Sequence, residues 1–176
     1  MVRTTMRTGP VTLPDSDAPA RPGTTDRESP LVLEAFLPYR LATLSNRISR
    51  AIATLYSERF DLSIPEWRIM AVLGERPELS AREVAERTAM DKVAVSRAVR
   101  RLLKKGLLER HFAPDDRRRS VLALSTGGRA VYREVVPLAR AFEKALLAAL
   151  TTEEIAILSL LLSKLESLPI EDMATD

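Results

Sequence analysis

Apolar residues spaced three and four positions apart predict long helices near both ends of the chain. Between residues 31 and 60 this stripe consists of Leu37, Leu41, Leu44, Ile48, Ile52 and Leu55, the spacing of one helix face. Two more helices are predicted for residues 126–150 and 151–168, the second capped by Thr151 or Thr152. This last helix is apolar on nearly every face, which one neighbouring helix cannot cover. A partner subunit is the simplest cover.

The middle of the chain carries the start signals of three shorter helices. Ser63 precedes a short apolar helix at 65–74, and Ser80 with Glu83 forms the pattern of a capping box. Asp91 is expected to cap the next helix, whose inward positions are Val95, Val99 and Leu102. Two capped helices joined by three or four residues are typical of a helix-turn-helix.

Residues 107–112 and 120–124 predict two short strands, joined through a turn that begins at 113–116. Appended to a helix-turn-helix, such a hairpin makes a winged helix. The predicted fold is therefore mainly α with a small β-hairpin wing. Residues 1–30 hold five of the eleven prolines among Thr, Ser, Asp and Arg, a composition typical of a disordered tail.

Composition removes several function classes. The chain has no cysteine and one histidine, which excludes thiolate sites and disfavours a zinc site or a nucleophile–base pair. Phosphate-binding glycine loops and metalloprotease or hydrolase motifs do not occur, so an enzyme is not expected. We find neither a signal-peptide pattern nor a run of 18 apolar residues, and therefore expect a cytoplasmic protein without cofactors.

Positive charge is concentrated in one stretch. From Lys92 to Arg119 there are ten Lys and Arg against three Asp and Glu, a net charge of +7. The whole chain carries +3, so the remaining residues sum to −4. A basic face on an otherwise slightly acidic protein is typical of a polyanion binder.

The exposed side of the 91–105 helix supplies the candidate DNA contacts. A recognition helix presents its first two turns to base edges in the major groove. Arg97 is the candidate for a bidentate contact to guanine, Ser96 for a polar contact, and Val93 and Ala94 for a thymine methyl group. Further contacts to bases or phosphates are expected from Ser80, Lys92, Arg100 and Arg101, and phosphate contacts also from Lys104 and Lys105. For an isolated run such as Arg100-Arg101, a solvated surface is the alternative.

The predicted wing adds a second group of contacts. Arg117, Arg118 and Arg119 alternate in direction along a hairpin, and one or two of them can enter a minor groove. Asp116 is close enough in sequence to hold the guanidinium of Arg118 in a bidentate pair. Asp115 and Asp116 also suit a turn, and both roles are compatible.

At these residues the chain resembles the MarR family of transcriptional regulators. The resemblance covers residues 31–168 and rests on Leu79-Ser80, Val84-Ala85-Glu86-Arg87, Asp91-Lys92, Val95-Ser96-Arg97, Leu102, Gly106-Leu107, Asp116-Arg117-Arg118-Arg119, Val121, Leu124-Ser125 and Gly128. The family's recognition-helix residues correspond to Lys92, Val93, Ala94, Ser96 and Arg97, and its wing pair to Asp116 and Arg118. Ala94 departs from the family pattern, because many relatives carry Ser or Thr there.

The resemblance implies a homodimer that binds a pseudo-palindromic operator in double-stranded DNA, usually as a repressor. Residues 31–60 and 126–168 would form a helical dimerisation platform, and residues 62–125 a winged helix-turn-helix DNA-binding lobe. It also implies release from DNA by a small aromatic effector bound between platform and lobe. The candidate lining residues are Tyr39, Arg40, Asn46, Trp67, Arg68 and His111, with an aromatic carboxylate of benzoate or nicotinate type as the hypothesis.

Each of these ligand candidates also has a structural interpretation. Trp67 on a short amphipathic helix is more often a core residue, Arg40 and Arg68 suit ion pairs, and His111 suits a wing strand. The alternative function is a winged helix that binds another protein without specific DNA binding. Steep loss of DNA affinity with salt would distinguish the two, because phosphate contacts release counterions.

Overall fold

The computed structural model describes residues 30–112, 120–170 and 172–174, in which helices surround a small hairpin. The elements in chain order are α1 (Leu37–Ala53), α2 (Ser57–Phe60), α3 (Ile64–Glu75), α4 (Ala81–Thr88), α5 (Lys92–Lys104), β1 (Leu108–Phe112), β2 (Ser120–Leu124), α6 (Thr126–Leu147), α7 (Thr152–Glu166) and a closing 3-10 turn at Asp172–Ala174. The mainly α fold with a hairpin wing is confirmed. The predicted tail, apart from Pro30, lies outside the described residues.

Side-chain caps set the starts of the central helices. Ser63 and Glu66 form a capping box at α3, in which the Ser63 amide donates to Glu66 Oε2 at 2.8 Å. Ser80 forms the same box with Glu83 at α4. The Asp91 carboxylate accepts from the amides of Val93 and Ala94, at 2.9 and 2.8 Å. These predicted caps are confirmed, because each uses residues at most three positions apart.

The N-terminal helical stripe differs from the prediction of one helix. It divides into α1 and α2, with a break at residues 54–56. Tyr56 at this break is only 1% exposed and belongs to the core. The helix is interrupted here because burial of the Tyr56 ring is favoured over a continuous helix. Asp61 then adopts φ 50° and ends α2.

The core lies in the helix-turn-helix and extends to α6. The buried members include Ile69, Met70, Val84, Val95, Ala98, Val99, Leu102, Leu122 and Val135. The inward face predicted for the 91–105 helix is therefore confirmed. Ala89 takes a left-handed φ of 50° in the turn between α4 and α5, which lets the chain reverse within a few residues.

The hairpin is antiparallel, with Leu108 opposite Leu124 and Phe112 opposite Ser120. The amide of Leu122 donates to the carbonyl of Leu79 at 2.8 Å and attaches β2 to the start of the helix-turn-helix. On the other side α6 begins directly after β2, with Ser125 as its cap. The strand β2 is thus attached to the start of the helix-turn-helix and continues directly into α6.

The outer helices leave apolar faces uncovered. Neither α1 nor α7 has a fully buried residue. The exposed large apolar side chains include Leu37, Leu41 and Leu44 on α1, and Ile157, Leu160 and Leu161 on α7. Among the described residues no single helix is long and apolar enough to cross a membrane. Only α6 and α7 together reach that length and composition, and they are bent by 110°.

Candidate nucleic-acid interface

The exposed side of α5 carries the residues predicted to meet DNA. Asp91 holds the first amides of the helix, so its first two turns are well formed. Val93 is 57% exposed despite being apolar, and Lys92, Ser96, Arg97 and Arg100 are exposed as well. Within the described residues Arg97 takes part in no ion pair. Its guanidinium is therefore available for an external acceptor.

One flank of α5 opens into a basic cleft of about 600 Å³, bounded by α4 and β1. Lys92, Ser96 and Arg100 line it from α5, and Arg82 and Arg110 line it from the opposite walls. Arg82 and Arg110 were not among the predicted contacts. Arg110 could have been found from its place in the basic stretch between Lys92 and Arg119, on a predicted wing strand. Four cationic side chains around one groove suit a phosphodiester backbone.

Arg82 is oriented by a neighbour on its own helix. Its Nε donates to Glu86 Oε1 at 2.8 Å, an i,i+4 pair on the surface of α4. This hydrogen bond and the charge of Glu86 raise the pKa of Arg82 above its usual value. This exposed pair orients the guanidinium at the rim of the cleft.

Ser80 lies at the start of α4 and is already used as a cap. Its hydroxyl accepts from the amide of Glu83 at 3.2 Å. A serine hydroxyl can still donate its own hydrogen. The predicted contact to DNA is therefore compatible with the cap.

The other flank of α5 faces the protein. Arg101 Nε lies 3.5 Å and Lys105 Nζ 3.2 Å from Oε1 of Glu66, which is 2% exposed at the first turn of α3. Lys105 also lies 3.1 Å from Asp61 Oδ2 and donates to the Asp61 carbonyl. Arg100 and Arg101 thus face different surroundings, and Arg101 and Lys105, both predicted to contact phosphates, lie at carboxylates of the protein.

Glu66 stays ionised in this buried position. Burial on its own raises the pKa of its carboxyl group, but hydrogen bonds from Ser63 and the charge of Lys105 outweigh it and the pKa is lowered from 4.5. A lowered folded-state pKa means that this carboxylate stabilises the fold above pH 4.5, and that the contribution is lost as pH falls through the lowered value.

The predicted wing-tip contacts Asp116, Arg117, Arg118 and Arg119 lie outside the described residues, as does the turn at 113–116. The strands that carry this tip are described on both sides. These strands pair from Leu108–Leu124 to Phe112–Ser120. The basic tip remains a prediction.

The six predicted ligand residues are distributed over three elements. Tyr39, Arg40 and Asn46 are exposed on α1. Arg40 lines a groove of about 390 Å³ whose walls all come from α1. His111 lies on β1, with Nε2 3.4 Å from Glu78 Oε1. In this single chain the groove at Arg40 includes neither His111 nor the α3 candidates.

Trp67 and Arg68 lie next to each other on α3 and have separate partners. The Trp67 ring lies between Tyr56 and Tyr132, with centroid distances of 5.5 and 6.0 Å. Arg68 Nη2 donates to Ser49 Oγ on α1 at 3.0 Å. The interpretation of Trp67 as a residue packed against the core agrees with these contacts.

The aromatic row Tyr56–Trp67–Tyr132 was not predicted from sequence. It joins residues from the α1–α2 break, α3 and α6. Burial raises the pKa of Tyr56 to about 12, although the charge of Arg68 acts in the opposite direction. Gly74 makes room for Tyr132, because a Cβ there would lie 2.3 Å from Cε2 of that ring. Among the described residues no cluster of three metal-ligating side chains is found.

Comparison with known proteins identifies relatives across this region. A sequence profile described as the MarR family matches residues 60–119. The chain is similar to the HTH-type transcriptional regulator BilQ of Clostridium symbiosum, with 31% identity over 93 residues. That alignment covers 53% of this chain and 65% of the relative, so the chain spans just under two thirds of its length.

Solved structures extend the similarity over most of the chain. A probable transcriptional regulator from Pseudomonas aeruginosa is 31% identical with a TM-score of 0.64, covering 76% of this chain and 98% of that one. An E. coli MarR variant complexed with operator DNA is 26% identical, with a TM-score of 0.66 and coverage of 78% and 99%.

A further solved structure contains a small molecule. The PcaV regulator of Streptomyces coelicolor, in complex with its natural ligand, is 26% identical with a TM-score of 0.62. The similarity covers 78% of this chain and 96% of PcaV.

Proposed function

The chain belongs to the MarR family of transcriptional regulators, which are not enzymes, and on that premise we propose that it is a ligand-responsive DNA-binding repressor. It acts as a cytoplasmic homodimer on a pseudo-palindromic operator. A small aromatic effector releases it from DNA. In this proposal residues 62–125 form the DNA-binding lobe, and residues 31–60 and 126–168 the dimerisation helices.

The observation that carries the DNA-binding proposal is the exposed basic flank of α5. Lys92, Arg97 and Arg100 lie along the helix that would enter a major groove, and the cleft beside them adds Arg82 and Arg110. The similarity to MarR of E. coli, a variant of which was solved with operator DNA, supports DNA binding. The proposed division of labour is that Arg97 contacts bases, while the cleft arginines contact phosphates.

The uncovered apolar faces support the dimer. Leu31, Leu37 and Leu41 near α1 and Ile157 and Leu161 on α7 are exposed in the single chain. Exposed apolar side chains that are grouped on helices, rather than scattered singly, mark an interaction surface. A two-fold dimer would place two α5 helices about 34–36 Å apart, one turn of DNA.

The effector proposal has support from chemistry and from a relative. The Arg68 guanidinium is near enough to Tyr56, at one end of the aromatic row, for its charge to act on the Tyr56 hydroxyl, and a guanidinium beside an aromatic row suits an aromatic carboxylate. PcaV, a structural relative, was solved with its natural ligand. Calorimetric titration with benzoate and nicotinate should detect binding, with benzyl alcohol as the matched ligand that lacks the carboxylate. Absence of binding by both acids would contradict this part of the proposal.

The DNA-binding proposal is tested with a duplex that the wild-type protein selects from a random-sequence pool. Its affinity should fall steeply as salt is raised, because several phosphate contacts release counterions. Arg97→Ala should cost about 1–3 kcal/mol and relax base preference at one position of each half-site. Arg133→Ala removes an exposed arginine from α6 and serves as the matched control.

Two outcomes would count against this proposal in different ways. Unchanged base preference in Arg97→Ala would show that Arg97 is not the residue that contacts the base. Failure of the wild-type protein to enrich any duplex, or binding with little salt dependence, would favour the alternative of a protein-interaction winged helix.

A further inference from the structure

Glu66 is a buried charge at the junction of α2, α3 and α5. Both oxygens of its carboxylate are directed at the protein. Oε2 accepts from the amide of Ser63 at 2.8 Å and from its hydroxyl at 2.6 Å. Oε1 has two ion-pair partners, Lys105 Nζ at 3.2 Å and Arg101 Nε at 3.5 Å. The capping box therefore uses one oxygen, and the other faces two cations.

The two cations near Oε1 come from the last turn of the recognition helix and its C-cap. Arg101 belongs to the final turn of α5, and Lys105 is the C-cap residue. Lys105 Nζ is shared between Glu66 and the Asp61 carboxylate, so the C-terminal end of α5 is connected to the residues between α2 and α3. The opposite flank of the same helix is the proposed DNA-binding surface.

We propose that Glu66 is a positioning residue for DNA binding, which fixes the C-terminal end of α5 through Lys105 and Arg101 without contacting DNA. This inference rests on the proposed function. An ion pair with a buried member has a restricted geometry, because the buried charge is strongly destabilised in any arrangement that removes its partner. Arg97 and Ser96 lie on the same rigid helix, so their place in the groove depends on this attachment.

Electrostatics alone predicts the opposite effect of removing Glu66. Its negative charge lies beside a basic surface, so neutralisation raises the net positive charge and should strengthen binding to any duplex. A positioning role predicts weaker binding to the selected duplex, whereas binding to random DNA stays equal or becomes stronger. The sign of the change in specific affinity therefore separates the two explanations.

The test uses the full chain, a selected duplex and a random-sequence duplex of equal length. Glu66→Gln keeps an oxygen that can accept from Ser63, removes the charge and replaces the second oxygen by an NH2 group, which cannot pair with Lys105 and Arg101. Glu109→Gln is the matched control, because Glu109 is an exposed acid on β1 next to the same basic surface. Glu66→Gln should bind the selected duplex roughly five- to thirtyfold more weakly, with binding to random DNA not reduced. Glu109→Gln should bind both duplexes at least as tightly as the wild type.

Lys105→Gln provides a second variant that does not depend on the capping box. It should weaken binding to the selected duplex while leaving the salt slope unchanged. A phosphate-contacting lysine would instead lower that slope by about one. The affinity of the double variant Glu66→Gln/Lys105→Gln for the selected duplex should be no lower than that of the single variant that binds it less tightly. Both changes break the same attachment, so their effects should not add.

Three results would overturn the inference. They are unchanged or stronger specific binding by folded Glu66→Gln, a reduced salt slope for Lys105→Gln, and strictly additive losses in the double variant. If Glu66→Gln does not fold, Lys105→Gln and its salt slope decide alone. If the wild type selects no duplex, both the DNA-binding proposal and this inference fail. If the wild type does select a duplex, the variants test the role of Glu66 alone.

Discussion

At Gly128 the first turn of α6 packs against the backbone of Leu107, which lies three residues after the end of α5. A Cβ at this position would lie 2.0 Å from the Leu107 carbonyl oxygen. The neighbouring cap supports the same contact, since the Ser125 amide donates to that carbonyl at 3.1 Å and its hydroxyl to the Gly106 carbonyl at 2.6 Å. Because Gly128 has no side chain, the start of α6 can pack this closely on Leu107.

Gly128→Ala should lower the free energy of unfolding by about 1–3 kcal/mol, because backbone must move to admit the methyl group. Gly127→Ala is the matched control in the same helix turn, where the nearest atoms to an added Cβ lie 3.7 Å away. That variant should be neutral or stabilised by up to about 1 kcal/mol. Urea unfolding followed by circular dichroism measures both. Equal stabilities of the two variants would contradict the assigned close approach.

Neighbouring arginines on α5 show how much one position changes a role. Arg100 lines the basic cleft, whereas Arg101 turns toward the buried Glu66. On a helix, successive residues point about 100° apart, so two adjacent cations cannot share one flank. Arg100 belongs to the proposed DNA-binding surface, whereas Arg101 helps to attach α5 to α3 through Glu66.

Helix α5 contributes both to the core and to the proposed DNA-binding surface. Its inward face holds Val95, Val99 and Leu102 in the core, and its outward face carries the proposed DNA contacts. Its N-terminus depends on Asp91, which accepts two backbone hydrogen bonds. Fraying of this end would disorder the turns that are proposed to meet base edges.

Asp91→Ala should lower stability by about 0.5–2 kcal/mol through loss of this cap and should weaken binding to the selected duplex. Asp91→Asn is the matched control, because it removes the same negative charge and keeps an oxygen acceptor. Thermal unfolding and fluorescence anisotropy with labelled duplex measure the two effects. The alanine variant should be the less stable and the weaker binder; indistinguishable variants would show that the cap does not matter for either property.

For the whole molecule, the distribution of apolar surface separates two regions. The buried core lies mainly in α3, α4, α5 and the hairpin, whereas α1 and α7 expose their apolar side chains. The hydrogen bond from Arg68 to Ser49 connects α1 to the lobe. Both α1 and α7 still lack a partner for their exposed apolar side chains.

Leu161→Glu should convert a dimer into a monomer, because a carboxylate would be buried in the proposed interface without a partner. Leu161 is 52% exposed in the single chain, so the substitution should not disrupt the fold of one subunit. Leu161→Met keeps the apolar surface and is the control. Sedimentation equilibrium gives the mass of each variant, and a wild type that remains monomeric at micromolar concentration would refute the dimer.

The sequence by itself determined the features that depend on residues close along the chain. The caps at Ser63, Ser80, Asp91 and Thr151 act over two or three residues, and the inward face of α5 follows from helical spacing. The hairpin and the basic character of the region from Lys92 onward follow from equally local patterns. These signals were sufficient to predict the winged-helix fold and most of the candidate DNA-contacting helix.

Only the tertiary structure decided which distant residues meet. Glu66 and Lys105 are far apart in sequence, and so are Trp67 and Tyr132, or Leu107 and Gly128. No local pattern marks Glu66 as more than the partner of a capping serine. Its second oxygen gains a role because packing of α3 on α5 excludes water and brings two cations to it. The break at Tyr56 has the same cause, since burial of one ring in a core built from distant helices outweighs a continuous apolar stripe.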